Sequence, residues 1–280
     1  MQIFTEIAPL KVYLNTRRTA PYSVGFVPTM GALHDGHLSL IRAAKKETNL
    51  TVCSIYVNPT QFGNPEDLAK YPRTPDRDME WLRKENCDVV FCPETREMYS
   101  PQSSIGISFP GLDNILEGEF RPGHFSGVAQ VVAKLFHIVE PDRAYFGQKD
   151  YQQVMVVSRM VEALKFNVQI VPMPIVREAN GLAMSSRNQR LSEAERTQAA
   201  VIHDCLQHAR RRLLEGVRMN TLVEEVRARC AERDVRLEYL ALADRNTFTL
   251  LDHVSDPHRV VLLIAAHVGP VRLIDNLLLG

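Results

Sequence analysis

The chain has 280 residues with 33 basic and 33 acidic side chains, so its formal net charge is zero, and 45% of it is hydrophobic. At about 150 residues per domain this length predicts two domains, and a chain of this size holds a core without a metal or disulfide staple. The even charge argues against duplex nucleic acid, the composition against disorder, and the lack of an apolar run of about 20 residues against a membrane span.

Cys53, Cys87, Cys92, Cys205 and Cys230 are odd in number and contain no Cys-x-x-Cys, which fits reduced thiols in a cytoplasmic protein. Met1 to Leu10, with Glu6 and Pro9, lack the basic start and apolar run of a signal peptide.

After a polar opening through Arg17 and Arg18, Val24 to Val27 reads as a short buried strand ending at Pro28. Leu38, Ile41 and Ala44 then predict a helix from about Gly36, and Leu50 to Val57 a second strand. Strand, helix and strand at this spacing make a βαβ unit, so a parallel, doubly wound α/β sheet is the expected architecture. Thr74-Pro75-Asp76 opens a helix ending near Asn86, and a strand follows at Val89 to Cys92. Pro93 to Phe120, without helical period, reads as a surface loop. Further elements are a helix at Ser126 to Val139, a strand end at Ala144 to Phe146, a helix at Tyr151 to Leu164 and a strand at Val168 to Val171.

We place the domain boundary at about 175, giving domains of residues 1–175 and 176–280. In the second, Ser192-x-x-Glu195 is a capping box opening a helix striped by Ile202, Leu206, Ala209 and Leu213. A helix at Leu222 to Ala231 and strands at Leu237 to Leu242 and Val260 to Ala265 complete a small α+β domain.

Five segments have chemistry-bearing residues. His34-Asp35-Gly36-His37 lies at the first strand-to-helix turn, where free backbone N–H groups and the helix dipole favour phosphate. Two imidazoles three residues apart share one helical face there; a zinc pair lacks further ligands, and two incidental surface histidines are the plainer alternative. Ser185-Ser186-Arg187 offers two hydroxyls and a bidentate cation to a polyphosphate, or is a solvated loop before a capped helix. Gly147-Gln148-Lys149-Asp150 follows a strand end, where Lys149 would neutralise phosphate and Asp150 would either bind a ribose or cap the next helix. Asn58-Pro59-Thr60-Gln61 would orient a polar substrate or simply form a turn, and His124 sits in a basic turn that is either an anion ligand or structural. Neither Gly-x-Gly-x-x-Gly nor a P-loop is present.

Together these segments resemble the pantoate-β-alanine ligase family. The resemblance is carried by Val27-Pro28-Thr29-Met30-Gly31-Ala32-Leu33-His34-Asp35-Gly36-His37, Val57 to Phe62, Arg121 to Val128, Phe146 to Gln153, Gly181 to Asn188 and Arg272 to Asn276, in order along the chain. It implies a Rossmann-like nucleotidyltransferase domain, a smaller C-terminal domain covering the site, a homodimer, and ATP with magnesium. It also implies that (R)-pantoate attacks the α-phosphate of ATP and that β-alanine then attacks the pantoyl adenylate.

By position, the resemblance implies an ATP site of Met30, Gly31, Ala32, Leu33, His34, Asp35, Gly36 and His37, with Gly147, Gln148, Lys149, Asp150, Val176, Met184, Ser185, Ser186 and Arg187. His34, His37, Lys149, Ser185, Ser186 and Arg187 would be catalytic, with His37 a proton donor or transition-state stabiliser. Gln61, Gln153 and Asn58 would hold pantoate, and Gln61 would border β-alanine. Asn180, Gln130 and Tyr56 depart from the family's usual aspartate, small hydroxyl residue and phenylalanine. A plain nucleotidyltransferase and a silent nucleotide-binding scaffold are the rival functions.

Overall fold

The computed structural model describes residues 1–18, 22–100 and 105–280, which divide into two units, Met1–Pro174 and Ile175–Gly280.

The first unit is a parallel sheet with helical crossovers. In chain order it contains β1 (Gln2–Phe4), α1 (Ile7–Arg17), β2 (Val24–Thr29), α2 (Asp35–Glu47), β3 (Leu50–Ile55), α3 (Pro65–Ala69), α4 (Pro75–Lys84), β4 (Val89–Phe91), α5 (Thr95–Met98), α6 (Glu117–Phe120), α7 (His124–Val139), β5 (Arg143–Gly147), α8 (Tyr151–Leu164) and β6 (Gln169–Met173). The strand order is β1-β4-β3-β2-β5-β6. Because β2 lies between β3 and β5, the sheet reverses its direction of growth there, and the carboxyl ends of β2 and β5 flank the position where doubly wound sheets bind ligands.

β2 runs on through Pro28 to Thr29, where the sequence predicted a stop. Pro28 and Thr29 pair only with β3, at Ser54 and Ile55, while pairing of β2 with β5 spans only Gly25 and Phe26. The missing proline N–H is tolerated because the strand is no longer paired on both sides. The core beneath α2 is built from Leu33, Leu38, Ile41, Ala44, Leu82 and Tyr145.

Two readings of this unit are corrected. The polar opening contains β1 and α1, whose only buried side chains, Leu10 and Leu14, are too few to mark a helical stripe. The segment read as a surface loop contains α5 and α6 and buries Phe109, Leu112 and Leu116. Its residues 101–104 lie outside the described part. Asp113 accepts hydrogen bonds from Ser108 Oγ at 2.9 Å and the Phe109 amide at 2.6 Å, giving the segment local order without periodicity.

The second unit contains α9 (Glu193–Ala199), α10 (Val201–Leu214), α11 (Met219–Ala231), β7 (Val235–Asp244), β8 (Leu250–Leu251), β9 (Val260–Val268) and β10 (Val271–Leu278). Ser192 and Glu195 form the capping box. The single helix expected after it is divided at Ala200 into α9 and α10. The sheet has four antiparallel strands, ordered β10-β9-β7-β8, where two were expected. β10 returns along β9 from Val271 opposite Val268 to Leu278 opposite Val261. The helical stripe of Ile202, Leu206, Ala209 and Leu213 packs with Leu222, Val226, Leu262 and Ile264 in one core.

Candidate active site

The turn after β2 holds two successive residues in the left-handed region, Gly31 at φ 74° and Ala32 at φ 48°. The Ala32 and Leu33 amides donate to Oδ2 and Oδ1 of Asp78 at 2.9 Å each. Asp78 stands on α4 and is 1% exposed, and nothing in its local sequence marks this role.

His34 occupies the N-cap of α2, and its carbonyl accepts from the His37 and Leu38 amides at 2.8 and 3.1 Å. The expected shared face is realised: the His34 and His37 rings lie with centroids 4.0 Å apart. Among the described residues neither Nδ1 has a hydrogen-bond partner, although both atoms are buried. Burial, with the neighbouring His37, Lys149 and Arg77, pushes the His34 pKa down to about 2. Burial lowers that of His37 to about 4; Asp150 opposes this and Lys149 reinforces it. Both imidazoles are therefore neutral near pH 7, each with one N–H to donate. Asp35 lies outside this pair as an exposed first-turn acid 3.8 Å from Arg42, and the Gly36 carbonyl accepts from Ser39 Oγ.

Lys149 and Asp150 arrive from β5 through a 3-10 turn, Gln148–Asp150, that follows Gly147. Their electrostatic influence on His34 and His37 shows that the ends of β2 and β5 converge, joining segments separated by more than 100 residues. Lys149 is mostly buried, whereas Asp150 is half exposed. Asp150 occupies the N-cap position of α8 but makes no side-chain cap bond, which removes the capping alternative.

A second cluster gathers around Gln61, in the 3-10 turn Pro59–Gln61 after β3. Its Nε2 lies 3.2 Å from Met30 Sδ, and Asn58 Nδ2 donates to its Oε1 at 3.3 Å. Asn58 also donates to the Gly127 carbonyl at 3.2 Å and accepts from Tyr99 OH at 2.8 Å. It is 1% exposed, so its amide supports the turn. His124 lies behind Gln61, with Nδ1 2.9 Å from the Gln61 carbonyl and Nε2 3.1 Å from Arg121 Nη1. A carbonyl only accepts and a guanidinium only donates, so one neutral tautomer, protonated on Nδ1, satisfies both contacts. Burial lowers its pKa to about 3, and the structural alternative for His124 holds. Gly127 permits α7 to approach, since a Cβ there would meet the Thr60 carbonyl oxygen at 2.5 Å. Gln153 lies on the first turn of α8; the neighbouring Gln152 is buried and donates to the Leu112 and Ile115 carbonyls.

In the second unit, Glu178 and Leu182 pair across the Asn180-Gly181 turn, and the Met184 amide donates to the Val176 carbonyl at 3.0 Å. Gly181 adopts φ 90°. Asn180 accepts from the Leu182 amide and donates to the Arg196 carbonyl, both at 3.2 Å. An aspartate lacks the second of these bonds, so the departure at this position is internally satisfied. Ser185 Oγ accepts from the Arg187 amide at 3.3 Å and opens a 3-10 turn, Ser186–Arg190. Asn188 anchors that turn by donating to Glu178 and to the Ala183 carbonyl. The other two departures are accommodated, as Tyr56 OH donates to Thr95 at 3.4 Å and Gln130 to the Ile105 carbonyl at 2.8 Å.

Among the described residues, no group of three His, Cys, Asp or Glu is placed to hold a metal, and no helix is long and apolar enough to cross a membrane. Asp150 is a half-exposed carboxylate beside His37, a single hard oxygen ligand of the kind that would suit magnesium carried in by a polyphosphate. All five cysteines are free.

The family model described as pantoate-beta-alanine ligase matches residues 2–278. The chain is 51% identical to the pantothenate synthetase of Acidobacterium capsulatum over 92% of its own length and 86% of that protein's. It is 44% identical to that of Cytophaga hutchinsonii over 98% of both chains. The crystal structure of pantothenate synthetase from Thermus thermophilus superposes with a TM-score of 0.89 at 40% identity, covering 100% of this chain and 99% of that one. The pantoate-beta-alanine ligase of Francisella tularensis, complexed with beta-gamma ATP and beta-alanine, gives a TM-score of 0.85 at 35% identity, with 100% and 98% covered.

Proposed function

The chain belongs to the pantoate-beta-alanine ligase family and joins pantoate to β-alanine with ATP, and we propose that it does so through a pantoyl adenylate. A free carboxylate is a poor acyl donor, and transfer of AMP to it creates a good leaving group. A pantoate carboxylate oxygen attacks the α-phosphorus, the bond to the β-phosphate breaks, and pyrophosphate departs. The β-alanine amine then attacks the acyl carbon, the C–N bond forms, AMP leaves and the amine loses a proton.

The observation that carries this reading is the convergence of His34, His37 and Lys149 at the carboxyl ends of β2 and β5. Lys149 supplies a positive charge for the phosphates. His37 acts as a neutral N–H donor to the oxygen on which charge accumulates, because a ring with a pKa of about 4 carries no spare proton near pH 7. Met30, Gly31, Ala32, Leu33, Gly36, Gly147, Gln148, Asp150, Val176 and Met184 line the nucleotide in this reading, and Ser185, Ser186 and Arg187 bind phosphates. Gln61 and Gln153 hold pantoate, Gln61 borders β-alanine, and Asn58 keeps Gln61 in place.

Asp150 would offer one carboxylate oxygen to a magnesium ion bound to the ATP phosphates, and that ion would supply positive charge against the phosphate oxygens. We also assign the protein to the cytoplasm as a homodimer, which light scattering tests. Pyrophosphate exchange into ATP tests the reaction: exchange is expected to require pantoate and not β-alanine. Absence of both exchange and AMP formation with all substrates would refute it.

A further inference from the structure

Two adjacent amides in a left-handed turn form a concave nest that binds anions. Here the nest of Gly31, Ala32 and Leu33 is filled from within the molecule. Both Asp78 oxygens take an amide at 2.9 Å, and Thr74 Oγ1 adds a third donor to Oδ1 at 2.9 Å. Thr74 is the N-cap of α4 and makes no side-chain bond to that helix's backbone, so its hydroxyl serves Asp78 and not the cap. The fit at Gly31 is close, since a Cβ there would meet Asp78 Oδ2 and Ile55 Cγ2 at 3.0 Å each. Ala32 in the left-handed region is unfavourable by roughly 1–2 kcal/mol, and such a conformation persists where surrounding bonds over-determine it.

We propose that Asp78 is the positioning residue of the nucleotide turn, an internal anion that fills the nest, excludes phosphate from it and sets the backbone from which His34 and His37 project. The inference rests on ATP binding at this turn, as argued above. It makes the carboxylate act through two amides on the two rings without touching substrate. The nucleotide accordingly meets the imidazoles and Lys149, and the Ala32 and Leu33 amides are reserved for the protein.

The test uses the full chain with Asp78→Asn, Asp78→Ala and Thr74→Val, and reads both equilibrium ATP binding and steady-state kinetics. Asp78→Ala should weaken ATP binding and raise the ATP KM on the order of ten- to a hundredfold, the loss of charge-assisted bonds. The β-alanine KM should stay within about twofold, because that substrate is assigned to Gln61 and not to the Gly31–Leu33 nest. Added formate, which replaces the deleted carboxylate, should restore ATP affinity in Asp78→Ala, while sodium chloride at equal ionic strength should not. Asp78→Asn should be impaired and unresponsive to formate, since its amide fills the site and presents N–H to N–H.

If the Asp78 variants do not fold, Thr74→Val decides the matter, with an expected rise of about three- to tenfold in the ATP KM. A folded Asp78→Ala with unchanged ATP affinity overturns the proposal. So does a parallel rise in all KM values without formate response, the mark of a loosened fold. Failure of the ligase reading is separate: the parent chain would then lack pantoate-dependent exchange, while ATP binding would still report on Asp78.

Discussion

Arg177 and Asp275, 98 residues apart, form a paired contact in which Nη1 meets Oδ2 at 2.5 Å and Nη2 meets Oδ1 at 3.0 Å. The same guanidinium donates to the Gly181 carbonyl at 3.1 Å, so β10 holds the hairpin that leads into Ser185–Arg187. This gives the Arg272 to Asn276 match a purpose: its aspartate braces the turn assigned to phosphate. Asp275 is 4% exposed, and Asp275→Asn should destabilise the protein by about 2–4 kcal/mol by leaving the guanidinium poorly paired. Urea unfolding checks this, and a change below about 0.5 kcal/mol, the scale of surface substitutions, would show that the brace carries little.

His37 offers the opposite case. Its buried Nδ1 has no partner among the described residues, so removing the ring sacrifices little hydrogen bonding. His37→Ala is expected to reduce turnover on the order of a hundredfold or more, the usual effect of losing a transition-state donor. The melting temperature should fall by only a few degrees. Unaltered turnover in exchange and coupled assays would remove His37 from the mechanism.

The three depressed histidines predict a pH dependence of stability. His34, His37 and His124 have folded pKa values of about 2, 4 and 3, below the ordinary 6.5. The unfolded chain binds protons that these rings refuse in the fold. Their contribution is therefore complete above the unfolded value and lost as pH falls below it, ending only at the folded values. From pH 6.5 to 5.5 each group should remove about 1 kcal/mol. Urea titrations at the two pH values measure the sum, and His124→Gln should flatten the slope by one share. Equal stability at both would contradict the buried neutral state.

The rate should carry a matching signature. Because kcat/KM for ATP reports the free enzyme's titrations, its pH profile should show no acid limb near 6.5. A limb at that value, abolished by His37→Gln, would mean that His37 is charged during the reaction and acts as an acid.

Gly127→Ala tests the support of Gln61. The added Cβ would meet Thr60 O at 2.5 Å and Gln61 Cα at 2.7 Å, and the helix or the turn must shift. Overpacking of this kind costs about 1–3 kcal/mol. The expected result is a rise of about tenfold in the pantoate KM with a smaller change for ATP. Equal effects on both would show that Gln61 does not distinguish them.

Several elements are legible in the sequence because their signals are local. Apolar spacing at Leu38, Ile41 and Ala44 marks α2, and Ser192 with Glu195 marks the start of α9. The βαβ order implies a parallel sheet, which places His34 and Lys149 at strand ends. α1 escapes such a reading because two buried leucines make no stripe, and β10 because its residues enter as a family match without a strand assignment.

By itself, the order of residues determined the α/β architecture, the family, and which side chains sit at the ends of strands, since turn chemistry and periodicity act over a few neighbours. Only the tertiary structure decided how those side chains are held. Asp78 meets Ala32 and Leu33 from 46 and 45 residues away, and His124 supports Gln61 from 63 away. Such contacts exist only after packing brings distant elements together, and no local spacing encodes them. The same packing removes water from His34 and His37, so their neutrality follows from burial and not from the identity of the residues beside them in the chain.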